Sequence, residues 1–499
     1  EQSSRLKNPE LKALVGIALL ETGDTTRGEQ LIGEARQESP TSQPITALLA
    51  RHYLSRSQPQ RAVDVLNTSL KQGEDPALRQ LLISAQLANG QGDAAIATAR
   101  QIADKAPANA QHQLALGRTA LAARRFDIAR SALQRALELD PGLNAARLNL
   151  AQIDLIERNG DKAAASYRAL LDSDRESVAA LKGLISAEEL RNGKPAAGSR
   201  ALEAKVFAIS DTPTARAVMV EYYLRNQRLA DAERLLPDTD GAAPNYLRNV
   251  QQLYAAMRAG EALNAGDYDS ARSALLTGLA TNPDDRQLTA LLAATEIRAG
   301  QLKEAEKIIA QLESSRGAIP VVVELKGDLQ AASNQPARAA EHYRALWQRQ
   351  QGDQIAAKLY GQLQRTDPAA AAAFLAEWQQ RLPNSLQPLL IEAMQLQGEG
   401  KRREAIARYE QLLQRDADNV VAMNNLALLY GPDDKRALPM AQKAARLAPQ
   451  SAAVLDTYGW LLLKSGDAKG AVEILEKAAE LAPEIKEIAT HLDEARAKL

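Results

Sequence analysis

No cysteine occurs in the 499 residues, which excludes disulfides, thiolate metal sites and cysteine nucleophiles. The absence fits an oxidising compartment, where a stray thiol is a liability, though cytosolic chains lack cysteine too. Aromatic side chains are scarce, with three Trp, three Phe and twelve Tyr making 4% of the chain. A core must therefore come from aliphatic residues, chiefly Ala and Leu. Charge of one sign is also missing: 61 basic residues balance 62 acidic ones, net −1. A nucleic-acid binder would carry a basic excess. No run approaches the roughly 18 apolar residues that a membrane-crossing helix needs. The chain opens Glu1-Gln-Ser-Ser, without Met. It reads as a fragment or processed form, so a missing targeting segment carries no weight.

The residues of familiar catalytic sites are equally thin. The four histidines, His52, His112, His342 and His491, are far apart in sequence. None has a second histidine or a carboxylate in a metal-ligand arrangement, so they read as surface residues. No Gly-x-Ser-x-Gly or His-Glu-x-x-His string occurs. Asn89-Gly-Gln-Gly-Asp93 has the look of a phosphate loop, but its glycines are explained as punctuation between helices. Asn67-Thr-Ser69 matches a glycosylation sequon by chance. Acidic residues on helical stretches read as solvated faces. The expectation is a non-enzyme with no catalytic residue, cofactor or metal.

What is present is a small residue that returns about every 34 positions. The series is Gly28, Ala62, Ala95, Ala129, Ala163, Ala197, Ala232, Ala271, Ala305, Ala339, Ala371, Ala405, Ala437 and Ala471. Around it runs a fixed grammar, clearest from Ala452 onward: Gly459, Gly466-Asp467, Ala471, Leu475, Ala478 and Pro483. With Ala452 as position 1, small residues fall at 8, 20 and 27, where two helices of a pair cross closely. Leu475 at position 24 is expected to fill the gap to the next helix. Gly466 suits a left-handed C-cap, Asp467 an N-cap, and Pro483 a helix stop. Gly16, Gly23-Asp24, Gly28, Ile32, Ala35 and Pro40 repeat the pattern, as do Gly117, Ala129, Leu133, Ala136 and Pro141.

This period and grammar are those of the tetratricopeptide repeat (TPR). The expected fold is all-α, a TPR α-solenoid. It would be a right-handed superhelix of about fourteen helix-turn-helix repeats plus a C-terminal capping helix. Residues 1–236 read as an N-terminal array of about seven repeats and 266–483 as a C-terminal array. Residues 237–265 form an irregular long repeat or joint, because the gap before Ala271 is 39 residues. There Asp238–Pro244 supplies turn chemistry ahead of a long helix over 246–263, and Glu203–Pro213 fits the repeat poorly. Residues 484–499 read as the cap, with Ile485, Ile488, Leu492, Ala495 and Leu499 in one apolar stripe.

In such an array the first helix of each pair lines a concave wall, at positions near 2, 5, 6, 9, 12 and 13. Those positions are mostly apolar or small. The polar exceptions, candidates for binding a partner, are Arg51, Arg118, Asn149, Asn424, Asn425, Asp456, Thr457 and Trp460. Asn424, Asn425, Asp456 and Trp460 are the densest group. Asparagine can clamp an extended peptide backbone, and an indole face can stack on a sugar or an apolar side chain. An equally direct reading packs Trp460 between helices and leaves the asparagines to solvate the surface.

The C-terminal third resembles a narrower family. Val421-Ala-Met-Asn-Asn-Leu-Ala-Leu-Leu-Tyr430, Leu447-Ala-Pro449, Val454-Leu-Asp-Thr-Tyr-Gly-Trp460 and His491-Leu492 look like the terminal repeats of the PEP-CTERM-system TPR-repeat lipoproteins. Leu359-Tyr-Gly-Gln-Leu, Trp378 and Pro383 fit as well. The resemblance implies a periplasmic or cell-envelope protein, lipid-anchored through a segment outside this chain, working beside exopolysaccharide and exosortase systems. Its partners would be proteins of those systems, or polysaccharide itself, with no nucleic acid. Two other readings remain: direct carbohydrate binding along the superhelix, and a recruitment region of a larger enzyme.

Overall fold

The computed structural model describes residues 8–22, 24–193, 200–236, 245–317 and 319–499. Among them are twenty-nine helices, from α1 (Pro9–Thr22) to α29 (Lys486–Arg496), and no strand. The chain divides into two compact units, residues 1–257 and 258–499, the boundary falling inside α15 (Asn245–Asn264). α15 is the long helix expected over 246–263. The turn expected over 238–244 lies outside the described residues, as do Gly23 and Ala197. Residues 200–209, where the repeat pattern fades, form α12 (Arg200–Ile209).

The periodic small residue is explained by backbone contact. A Cβ added at Gly28 of α2 (Thr25–Glu38) would lie 2.8 Å from the Gly16 carbonyl oxygen of α1. The alanines from Ala62 to Ala471 in this series, apart from Ala197, are buried, almost all with no exposed surface. Leu475 fills the gap to the next helix as expected, sharing a core with Leu492 and Ala495 of α29. Its Cγ also sits 2.6 Å from where a Gly459 Cβ would be, so it covers the first helix of its own repeat too. Leu133 over Gly117 and Tyr343 over Gly327 repeat this at 2.6 and 2.5 Å.

In most pairs the turn is set by one residue in the left-handed region. Glycine holds it at Gly90, Gly266, Gly300, Gly400 and Gly466, with φ between 73° and 93°. Ser57, Arg124, Arg158, Gln227 and Asn334 hold the same place at φ 55–64°. A side chain there costs about 1 kcal/mol or more. Arg124→Gly and Arg158→Gly are each expected to stabilise by up to about 1 kcal/mol, read as a raised midpoint in urea melts. The adjacent aspartate caps as anticipated: Asp467 Oδ1 accepts from the Gly470 N–H at 2.9 Å.

Most helices pack on their sequence neighbours. Many odd-numbered helices also touch the next odd-numbered one, as α1 does α3 (Gln43–Ser55) and α17 (Arg286–Arg298) does α19 (Pro320–Ala332). In the first unit these contacts run without a break from α1 to α13 (Pro213–Arg225). In the second they join α17 to α19 and α25 (Val420–Tyr430) through α27 (Ala452–Lys464) to α29, with Lys358 bonding to Glu324 and Gln395 to Tyr360 in the stretch between.

Three carboxylates expected on solvated faces are buried instead. Asp154 of α9 (Asn144–Ile156), Glu188 of α11 (Val178–Asn192) and Glu296 of α17 have side chains 1–3% exposed. All three stand at position 11 of their repeats and take a cation from the helix before. Arg130 reaches Asp154 at 2.6 Å, and Arg272 grips Glu296 at 2.6 and 2.8 Å. Glu188 gathers Arg168, Arg191 and Lys205. Such pairs clip one repeat to the next, and each compensates for its own desolvation.

The last helix lies on α27 (Ala452–Lys464) and α28 (Ala468–Leu481). Ile488, Leu492 and Ala495 are buried. The ends of the expected stripe are not: Ile485 is only the cap residue and Leu499 lies beyond the helix, so both are exposed. Deleting residues 484–499 would bare Leu475 and Ala478, and is expected to lower the melting temperature or solubility. An unchanged melt would show the segment to be dispensable.

Candidate functional site

The layer of odd-numbered helices carries a groove of about 570 Å³ across α17, α19 and α21 (Asp353–Thr366). Its floor is Ala290, Leu291 and Ala294 from α17 with Val321 and Leu325 from α19. These are positions 5, 6 and 9 of one repeat and 2 and 6 of the next. The groove exists because Ala290 and Ala294 are short where the neighbouring helix presents Val321 and Leu325. Val321 is 37% exposed, an apolar side chain with open surface.

One wall of the groove is a charged knot. Lys358 Nζ donates to Glu324 at 2.7 Å and to both Asp328 oxygens at 2.7 and 2.9 Å. The Tyr343 hydroxyl donates to Asp328 at 2.6 Å. Burial works against the Lys358 charge, but the two carboxylates outweigh it and hold its pKa above the ordinary value. Burial pushes the Tyr343 phenol up, and its bond to Asp328 pushes it further. Lys358 and Tyr343 therefore both keep their protons near neutral pH. The groove offers shape and apolar surface rather than a reactive group.

The sequence-derived candidates fall in both units. In residues 1–257, Arg51 of α3 and Arg118 of α7 (Ala110–Ala122) are exposed. Asn149 is turned back on its own helix, its amide donating to the Ala145 carbonyl at 2.6 Å. In residues 258–499, α25 (Val420–Tyr430) and α27 are neighbours in the odd-numbered layer. The four residues of the densest group are engaged in different directions. Asn425 donates backward to the Tyr409 hydroxyl at 3.0 Å, while Asp456 pairs forward with His491 Nδ1 at 2.8 Å. Asn424 is half-buried, and its Oδ1 is buried without a partner.

Trp460 is half-buried, packed on the core that includes Leu426 and Leu461. Its ring lies 6.3 Å from that of His491, with Lys464 Nζ 5.9 Å away. Thr457 does not face the wall: it is 4% exposed, and its hydroxyl donates to the Ala453 carbonyl at 3.0 Å. A β-hydroxyl mid-helix finds that carbonyl one turn back, which lets it be buried.

The histidines are also not all on the surface. His52 is 9% exposed, beside Tyr53 and 3.9 Å from Glu21, and burial lowers its pKa. His491 is 18% exposed in its pair with Asp456. Among the described residues no three His, Asp or Glu side chains converge as a metal-binding set. No described helix is long and apolar enough to cross a membrane. The groove on α17 and α19 was missed from sequence because a wall of Ala, Leu and Val looks uniform; only side-chain exposure distinguishes its hollow.

Residues 114–178 match a family model described as a tetratricopeptide repeat, and residues 19–82 and 262–318 match a second so described. The chain carries tetratricopeptide repeats. Its fold is an all-α TPR solenoid. No curated protein matches it in sequence. Similar solved structures include yeast Tom70, 13% identical over 90% of this chain and 94% of that one, with a TM-score of 0.44. Another is Naa15/Naa10 bound to HypK-THB, 14% identical over 99% and 92%, with a TM-score of 0.40. A tetratricopeptide repeat protein from Parabacteroides merdae ATCC 43184 is 15% identical over 49% and 99%, with a TM-score of 0.32. None superposes closely enough to carry an inference about this chain.

Proposed function

We propose that this TPR chain is a non-enzymatic scaffold that holds partner proteins along the layer of odd-numbered helices. The supporting observation is the groove over α17 and α19, where wall positions of successive repeats combine into open apolar surface. TPR repeats are in general protein-interaction modules. The setting we propose is the envelope of a Gram-negative bacterium, in support of exopolysaccharide assembly, export or protein sorting. This rests on the resemblance of Val421–Tyr430 and Val454–Trp460 to the PEP-CTERM-associated lipoproteins. Direct carbohydrate binding draws less support, since two of the three tryptophans, Trp347 and Trp378, are fully buried.

A photo-crosslinking residue at Val321, in the native host, tests the proposal. The expected products are envelope proteins of a polysaccharide or sorting system, absent when the crosslinker sits at Asp64 on α4 (Pro59–Leu70). Val321→Arg is expected to remove those products and reduce exopolysaccharide output, with helicity unchanged. Equal labelling at both sites, or unchanged exopolysaccharide, would contradict it.

A further inference from the structure

We propose that the surface formed by α27 and α28 is a binding site for an amphipathic helix, and that α29 is its exchangeable intramolecular occupant, displaced by a partner protein's helix bearing a basic side chain opposite Asp456. The proposal rests on the partner-holding reading above and names the partner's chemistry.

The occupant is visible, so the recognition rule can be read from it. α29 presents Ile488, Leu492 and Ala495 at i, i+4 and i+7, exposed 2%, 7% and 0%. They cover Leu475 and Ala478, both fully buried in the assembled stack. Between the first two, at i+3, His491 reaches Asp456 at 2.8 Å with both side chains under one-fifth exposed. Any helix with this spacing and a donor at i+3 repeats the same contacts.

The hold on α29 is weak for a structural element. Its eleven residues are too few to be helical alone. Ile485 at its N-cap makes no side-chain capping bond. Its outer clips, Lys464–Glu494 at 3.2 Å and Arg496–Glu476 at 2.9 Å, join side chains one-third to one-half exposed. Pairs of that kind contribute little. Terminal elements with few buried contacts open locally well before the global transition.

Charge then decides what competes. Asp456 is a desolvated carboxyl whose pKa is raised by burial, with His491 pulling it back and Glu487 adding to the rise. The groups facing it are therefore His491 and Glu487 from α29, with Lys464 of its own helix held by Glu494 instead. A lysine or arginine at i+3 brings a permanent cation to this acid. A partner helix so equipped binds more tightly than the resident one.

The test uses the full chain and a labelled peptide of residues 484–499, in the native sequence and with His491→Lys. Hydrogen exchange of the wild type is expected to release α29 amides faster than those around Leu475. Leu492→Asp, which detaches the resident helix, is expected to bind the peptide on the order of ten- to a hundredfold more tightly than wild type. A site occupied in cis loses affinity in proportion to the time it is closed. The His491→Lys peptide is expected to bind more tightly still, and Asp456→Asn to cancel that gain. Failure of a folded Leu492→Asp chain to bind either peptide would overturn the proposal. So would α29 amides that exchange only with global unfolding, a readout independent of that variant. Peptide exchange with no partner captured at Val321 removes the scaffold reading and keeps the helix site; captured partners with a cap that never opens do the reverse.

Discussion

Trp347→Ala is expected to cost about 3–5 kcal/mol, the usual range for emptying a buried tryptophan site. Trp347 on α20 (Pro336–Arg349) is fully buried, its ring edge-on to Phe374 at 5.4 Å. Its indole N–H donates to Glu377 at 2.8 Å, so truncation also removes a hydrogen bond. The surrounding core, with Tyr343, Tyr360 and Trp378, holds two of the chain's three tryptophans. Because each TPR unit contacts mainly its neighbours, the loss is expected to stay local. A denaturant melt followed by fluorescence and by helicity is expected to show an early transition from this region, with the rest unfolding later. A single unshifted transition by both probes would contradict the packing described.

Glu296→Ala is expected to cost about 2–3 kcal/mol, less than a fully buried pair because Arg272 remains partly solvated. Truncation strips the Arg272 guanidinium of two bonds, leaving it with Asp269. Glu296→Gln keeps the length and one acceptor, and is expected to cost about half as much. The exposed pair Lys477–Glu473 on α28 is the control; removing it is expected to leave the melt nearly unchanged. Equal effects at the two places, measured by urea melts, would show that position 11 is no inter-repeat clip.

The architecture was legible because one physical demand, close approach of two backbones, recurs in every repeat. Only Gly or Ala satisfies it at Gly28, Ala62 or Ala471, so the period survives in the sequence. The buried acids were not legible. Asp154 and Glu296 look like any solvated carboxylate, and nothing local shows that an arginine 24 residues earlier lies across from each. Thr457 misled for a related reason: its polarity placed it on the wall, whereas its hydroxyl is satisfied within the helix. Asp456 was read as a wall residue, but its partner, His491, lies on the cap 35 residues away. Sequence spacing gives which face a residue is on within one helix. It does not give which neighbour fills the space above it.

The central claim is that partners are held by the layer of odd-numbered helices. Hydrogen exchange of the full chain, with and without a partner captured through Val321, tests it most directly. The account predicts added protection in α17, α19 and α21, with the even-numbered helices between them unchanged. Protection confined to even-numbered helices, or none in residues 286–366, would contradict it.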